Sequence, residues 1–256
     1  MTRRRFYAPP ENFESDKSHL TLPADEARHL RDVLRLKAGD EAFVFDGEGE
    51  EFFCVVTETG RGNSPARLEV RGQAQPASPE STLKLTLALA LLKGEKFDLV
   101  VQKAIELGVA RIVPVTTMRA DVRLRDAVDA ARRVARWQRL ALEACKQSGR
   151  ARVPSIDAPV SFSSLIESAP HEGESSRLMF AERMGRGLIE TLEQTHTHTQ
   201  PVIALVGPEG GWDDAEIRQA MDVGWSVITL GGRTLRAETA AIAITALLQH
   251  LCGDLK

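Results

Sequence analysis

Metal-type cysteine spacing is missing from this chain of 256 residues: Cys54, Cys145 and Cys252 stand far apart and are odd in number. That excludes a Cys-x-x-Cys metal site and a disulfide framework, and predicts reduced, buried thiols in a cytoplasmic protein. Long apolar runs are missing as well. The longest, Leu87 to Leu92 and Ala240 to Leu248, are too short to cross a bilayer, so no membrane partner is expected. The basic start Arg3-Arg4-Arg5 leads into Phe6-Tyr7-Ala8-Pro9-Pro10-Glu11, which is not the apolar core of a signal peptide. Nor is there a surplus of positive charge: 33 Lys and Arg against 36 Asp and Glu leave a net charge of −3. Bulk charge therefore cannot hold a nucleic acid, and any such surface has to be a local patch. No internal repeat is present. With 43% hydrophobic and 27% charged residues, the composition is that of an ordinary soluble chain, long enough for one large or two modest domains.

Up to about Arg71 the pattern is of short strands, at residues 42–45, 51–56 and 66–70, separated by Asp46-Gly47-Glu48-Gly49 and Thr59-Gly60-Arg61-Gly62-Asn63. One helix, roughly Ala24 to Leu34, precedes them, and a small β-barrel over residues 1–72 is expected. Residues 73–81, with Pro76 and Pro79 among small polar residues, predict a linker. From 82 to 256 the pattern alternates between strand and helix. Leu83 to Leu89 forms a strand, Phe97 to Ile105 a helix closed by Gly108, and Arg111 to Val115 a strand ended by Pro114. A long helix, Asp126 to Ser148, follows, and further strands are read at 178–181, 202–206 and 227–230. Such alternation predicts an α/β domain with a mostly parallel sheet, and from pattern alone a doubly wound one.

Two glycine-bearing turns carry the chemistry. Gly207-Pro208-Glu209-Gly210-Gly211-Trp212 follows the strand Val202 to Val206, and Leu230-Gly231-Gly232-Arg233-Thr234-Leu235-Arg236 follows Val227 to Leu230 and opens the apolar helix from Ala240. Strand-to-helix turns of an open sheet are where ligands bind, and glycine lets the backbone approach closely. Asp213 and Glu216 also predict a capping box for the helix after the first turn. At the second turn Glu238 and Thr239 suit a helix start, whereas an arginine at Arg236 gains nothing from the helix dipole. Between Arg111 and Arg152 arginines outnumber acids, which reads as a phosphate-binding stripe or as a solvated helix face. Phe6 and Tyr7 suit stacking on bases or core packing. His196 and His198 lack a third ligand, so no metal is expected.

These turns, together with Arg4-Arg5-Phe6-Tyr7, the run His29 to Arg35, the run Lys103 to Gly108 and the run Glu143 to Arg150, resemble in order and spacing the SPOUT class of RNA methyltransferases. Within that class the resemblance is to the family of 16S ribosomal RNA uracil-N3 methyltransferases (the RsmE family), and it covers nearly the whole chain. Two positions depart from the family: Gly232 stands where proline is usual, and Thr234 where an aliphatic residue is usual.

The resemblance implies a PUA-like barrel and, at 82–256, a SPOUT domain whose segment from about 178 to 256 forms a deep trefoil knot. It implies S-adenosylmethionine as methyl donor, 16S ribosomal RNA of the small ribosomal subunit as partner, and a homodimer through the knotted domain. The implied donor site is Ala181, Glu182, Leu205, Val206, Gly207, Pro208, Glu209, Gly210, Gly211, Leu230, Gly231, Leu235, Arg236 and Ala240. Uracil N3 must lose a proton before it attacks, and a fixed guanidinium stabilises the charge left on the ring oxygens. Arg236 is the residue expected in that role, with Glu238 as its catalytic companion and Glu209 as a second candidate for the proton. Contacts to RNA are expected from Arg4, Arg5, Arg31, Arg35, Arg119, Arg132 and Arg136. Ribose 2′-O methylation, which goes with a Ser-Leu-Asn type of last loop, and a non-catalytic RNA-binding role are the alternatives.

Overall fold

Period-two patterning in the first eighty residues and strand-helix alternation in the rest give two separate cores. The computed structural model describes residues 3–62, 64–169, 175–194 and 200–255. The chain divides into one unit of residues 1–80 with 145–153 and another of residues 81–144 with 154–256.

In the first unit the strands are β1 (Arg5–Tyr7), β2 (His19–Thr21), β3 (Glu41–Phe45), β4 (Glu51–Glu58) and β5 (Arg67–Ala74), in the order β1-β3-β4-β5-β2. β1 runs parallel to β3 and the other pairs are antiparallel. The sheet is a half-barrel, with β1 and β2 at its two ends. The helix α1 (Ala24–Arg28) passes into one π-helical turn, His29–Val33, and Leu30 from that turn packs with Phe6, Leu20, Val44, Phe52 and Leu68 in the core. β5 outlasts the boundary expected at residue 72, because Gln73 and Ala74 still find partners in Phe52 and Glu51.

Residues 145–153 join this unit through Arg5. Its guanidinium is almost wholly buried, bonds the fully buried Glu51 carboxylate at 3.0 Å, and donates to the carbonyls of Cys145, Lys146 and Arg150 at 3.2, 3.1 and 3.0 Å. The Cys145 and Lys146 carbonyls lie in the last turn of a helix that ends at Ser148, where intrahelical donors run out and an added donor is well placed. Arg5, expected to contact RNA, is an anchor of the fold, its guanidinium taken up by these four partners. Phe6 is fully buried, which settles its role as core; Tyr7 packs against Phe45.

The second unit holds, among the described residues, a parallel sheet of seven strands: β6 (Leu85–Ala90), β7 (Arg111–Thr116), β8 (Ser155–Ile156), β9 (Val160–Ser161), β10 (Ser176–Phe180), β11 (Val202–Val206) and β12 (Ser226–Ile228). Their order is β12-β10-β11-β6-β7-β8, with β9 pairing β7 beyond β8. The helices are α2 (Lys96–Glu106), α3 (Ala127–Ser148), α4 (Phe162–Ser168), α5 (Leu188–Gln194), α6 (Asp214–Asp222) and α7 (Ala237–Cys252). Gly108 and Gly149, at φ +84 and +86°, stop α2 and α3 as expected.

Pro114 does not end β7. Ile112 accepts from Asp157 and Val115 accepts from Leu91, so alternate residues of β7 face opposite neighbours. Pro114, in phase with Ile112, faces the gap between the β8 pairing at 111–112 and the β9 pairing at 115–116, where a missing N–H costs nothing. His196 and His198 lie outside the described residues.

Candidate functional site

Strand register sets up the site. Phe180 pairs with Val206 on one side and Ile228 on the other, so β10, β11 and β12 end level and their loops leave one edge side by side. A cleft of about 540 Å³ lies at that edge, within the usual range for small-molecule sites. Residues 180–182, 206–209 and 228–237 line it, with Lys96 from α2 and Ala240 and Ile244 from α7.

The first loop is tied to the last strand. Ala181 N–H donates to Ile228, Arg186 N–H to Val227 and Thr229 N–H back to Arg186, at 2.9, 3.0 and 2.9 Å. The end of β12 and Thr229 thus lie against Ala181 and Arg186.

The second loop is built around Trp212. This side chain is fully buried, and its indole N–H donates to the Phe180 carbonyl at 2.8 Å, which joins the loop after β11 to the end of β10. A Cβ on Gly207 would lie 2.8 Å from the indole ring, so glycine is what lets the ring tuck beneath the loop. Asp213 then caps α6 by accepting from Ala215 at 2.9 Å, while Glu216 accepts from the Asp213 N–H at 3.2 Å, the expected capping box.

The third loop turns on Gly231 and Gly232, at φ +75 and +73°, with open space where a Cβ would be. A proline ring fixes φ near −65° and cannot adopt that turn, so the departure at Gly232 belongs to the loop's own shape here. Arg236 occupies the N-cap position of α7 with no side-chain cap, and Thr239 does not supply one. Arg233 and Arg236 are exposed, and neither guanidinium has a hydrogen bond or ion pair among the described residues.

Of the expected donor residues, Ala181, Glu182, Val206, Gly207, Pro208, Glu209, Leu230, Gly231, Leu235, Arg236 and Ala240 line the cleft. Leu205, Gly210 and Gly211 do not. Leu205 is core; a Cβ on Gly210 would meet the Arg119 carbonyl at 2.9 Å; Gly211, at φ +69°, turns the chain beside the Glu182 carboxylate. Glu238 also stays out of the lining. Its carboxylate is 3.7 Å from the Lys96 ammonium, which is 3.2 Å from Glu209. Burial pushes the Glu209 carboxyl up, but hydrogen bonds from its own N–H, the Lys93 N–H and Lys96 outweigh that and hold it below the usual range. Glu209 is therefore a poor proton acceptor.

Sequence reading missed Lys96, Ile228, Thr229 and Ile244. Ile244 stands one helical turn after Ala240, which is a usable signal. Lys96, 113 positions from Glu209, gave none.

The basic stripe is largely neutralised from within. Arg132 and Arg133 pair with Asp129, Arg136 with Asp98, and Arg119 with Asp213. In the first unit Arg4 and Arg35 are exposed, Arg35 at φ +53°, while Arg31 donates to Asp32 and to the Gly62 carbonyl.

Comparison with known proteins sets the class. Residues 79–249 match the RNA methyltransferase domain and residues 22–64 the RNA methyltransferase PUA domain. Ribosomal RNA small subunit methyltransferase E of Synechocystis is 32% identical over 98% of this chain and 78% of its own length, and that of Mesomycoplasma hyopneumoniae 33% identical over 90% and 93%. The crystal structure of ribosomal RNA small subunit methyltransferase E from Neisseria gonorrhoeae bound to S-adenosylmethionine covers 100% of both chains at 33% identity and a TM-score of 0.85. The chain belongs to the ribosomal RNA small subunit methyltransferase E family.

Proposed function

We propose that this chain transfers a methyl group from S-adenosylmethionine to N3 of a uridine in 16S ribosomal RNA, with the first unit contributing to RNA binding, residues 178–256 forming the knot, and two copies pairing through the second unit. The observation that carries the reading is Arg236: an exposed guanidinium in the lining of the cleft, without a partner among the described residues, at a helix N-terminus that repels it. A side chain held there against the dipole has its use in a ligand.

The residues present fit the donor. Gly231 and Gly232 leave room for close backbone approach, Ile228, Leu235 and Ile244 supply apolar wall, and Glu209 presents a carboxylate. When bound, the donor supplies an electrophilic methyl group on a sulfonium, a displacement that depends on positioning and charge. The protein's part is to hold the uracil in line and to stabilise the charge on its O2 and O4 as the N3 proton passes to water, which is the work of Arg236. Glu238, turned toward Lys96, shapes the loop.

Nucleoside mass spectrometry of ribosomal RNA from cells lacking the protein should show loss of a base-methylated uridine; loss of a ribose-methylated one would refute the reading. Arg236→Ala should lower single-turnover methylation by roughly two to three orders of magnitude, with little change in donor affinity, and lysine should rescue only partly.

A further inference from the structure

Outside the cleft, on the same edge of the sheet, lies the loop after β7, residues 117–125. β11, β6 and β7 are neighbours, and Val206, Leu89 and Pro114 stand level across them. The loop after β7 therefore emerges about 10 Å from the one after β11, two strand spacings away.

It is held firmly against that turn. A Cβ on Gly210, next to the cleft-lining Glu209, would meet the Arg119 carbonyl at 2.9 Å, so the two backbones touch. Met118 N–H donates to the buried Glu216 at 2.9 Å, and the Arg119 guanidinium donates to Asp213 at 3.0 Å. Arg123 folds back to donate to the Thr117 and Met118 carbonyls at 3.5 and 3.3 Å, and Lys93 Nζ is 2.7 Å from Asp121. A loop tied at these points loses little freedom when a partner settles on it.

The ties leave an uncommon outer face. Met118 is 61% exposed although its backbone is fixed. With it in the loop stand three arginines against one aspartate, in a chain of net charge −3. Lys93 takes up that aspartate. Arg123 meets no carboxylate among the described residues, and the exposed Arg125 guanidinium has neither hydrogen bond nor ion pair among them. The core of a protein-binding patch is depleted of charge, which does not describe this loop. A polarisable apolar side chain among cations suits an unpaired nucleobase, which takes sulfur against its ring, and the phosphates on either side of it.

We propose that residues 117–125 hold a nucleotide flanking the one that is methylated, its base on Met118 and its phosphate on Arg123 and Arg125. The assignment rests on the reading above that the substrate is 16S ribosomal RNA. No residue of this loop lines the donor cleft. The loop leads into α3, so the track continues toward Arg132 and Arg136.

Filter binding of an unmethylated 16S ribosomal RNA transcript to the full chain tests it, beside donor titration, melting and light scattering. Met118→Ala should weaken RNA binding roughly two- to tenfold, the worth of a sulfur–aromatic contact. Arg125→Gln should make the salt dependence shallower by about one in slope. Donor affinity, Tm and oligomer mass should not move, because both side chains are exposed. Unchanged RNA binding in both variants would overturn the proposal. So would a fall in donor affinity equal to that in RNA affinity, which would make the loop a buttress of the donor turn, or a change in mass, which would assign Met118 to a second copy of the chain. Binding is read without methyl transfer, so a ribose-methylated product would refute the function proposed above and leave this result standing. A wild-type chain that binds no RNA would overturn both.

Discussion

One methyl group added at Gly207 should undo the site from beneath. In Gly207→Ala the new Cβ would lie 2.8 Å from two ring atoms of Trp212, a distance real Cβ atoms do not keep. Gly207 does not have a left-handed φ, so the cost is one of space alone. The ring has little freedom to retreat: it is fully buried, packs against Phe162 with centroids 5.5 Å apart, and is bonded to the Phe180 carbonyl. Overpacking by one methyl group costs about 1–3 kcal/mol, and an indole N–H torn from its acceptor in the core adds about 1–3 kcal/mol. At roughly 2–4 °C per kcal/mol for a chain of this size, Tm should fall by about 5–20 °C. Donor affinity should fall with it, because the Trp212 bond is what aligns the loop after β11 with the end of β10. Scanning calorimetry and donor titration measure both. Trp212→Phe in the same chain should recover part of the loss, since the phenyl ring vacates the contested space, so the two substitutions should be clearly non-additive. A Gly207→Ala protein that melts and binds like wild type would refute the account of how this loop is held.

Arg132→Gln with Arg136→Gln should leave Tm nearly unchanged, because their ion pairs with Asp129 and Asp98 are more than half exposed on the arginine side and such pairs are worth about 0–1 kcal/mol; RNA affinity should weaken and its salt dependence become shallower by about 1–2 in slope, and an unchanged slope would remove this face from the RNA site. Burial pushes the Cys54 thiol up to about 12 and the Cys145 thiol up to about 11, so little reactive thiolate exists at neutral pH. Iodoacetamide at that pH should label half-buried Cys252 first and reach the other two only in denaturant, as read by peptide mass mapping; rapid labelling of Cys54 in the folded protein would contradict its burial.

Much of this fold could be read from local signals. Gly108 and Gly149 marked helix ends, Asp213 and Glu216 marked a helix start, and the two glycine turns marked the ligand edge. Each of those is a short-range rule of backbone geometry. What escaped reading depends on neighbours distant in sequence. The two-residue strands β8 and β9 are too short to show a period, and whether Pro114 ends β7 is decided by a gap between those strands. Gly210 looks like Gly207 in sequence, yet it accommodates the Arg119 carbonyl and not the cleft. Arg5 and Arg236 both read as available cations. Three carbonyls and Glu51 consume the first, while the second has no partner among the described residues. A knot leaves no local trace, since no residue needs a special conformation for its chain to pass through a loop.

The charges around the cleft form a pattern that no single residue displays. Glu209, with Lys96 and Glu238 behind it, leaves a surplus of negative charge beside the cleft, while Arg233 and Arg236 carry positive charge on the last loop with no partner among the described residues. A site of one sign would suit one of the two proposed reactants and repel the other. The donor arrives as a cation, and the uracil becomes anionic as its proton leaves, so the two must be received by opposite charges. Placing them on different loops lets each act without neutralising the other. The level ends of β10, β11 and β12 make that possible, since they set three loops of different charge around one cleft. The chain's near-neutral total, which at first excludes a bulk-charge RNA binder, is therefore compatible with a site that works by local opposition of charge.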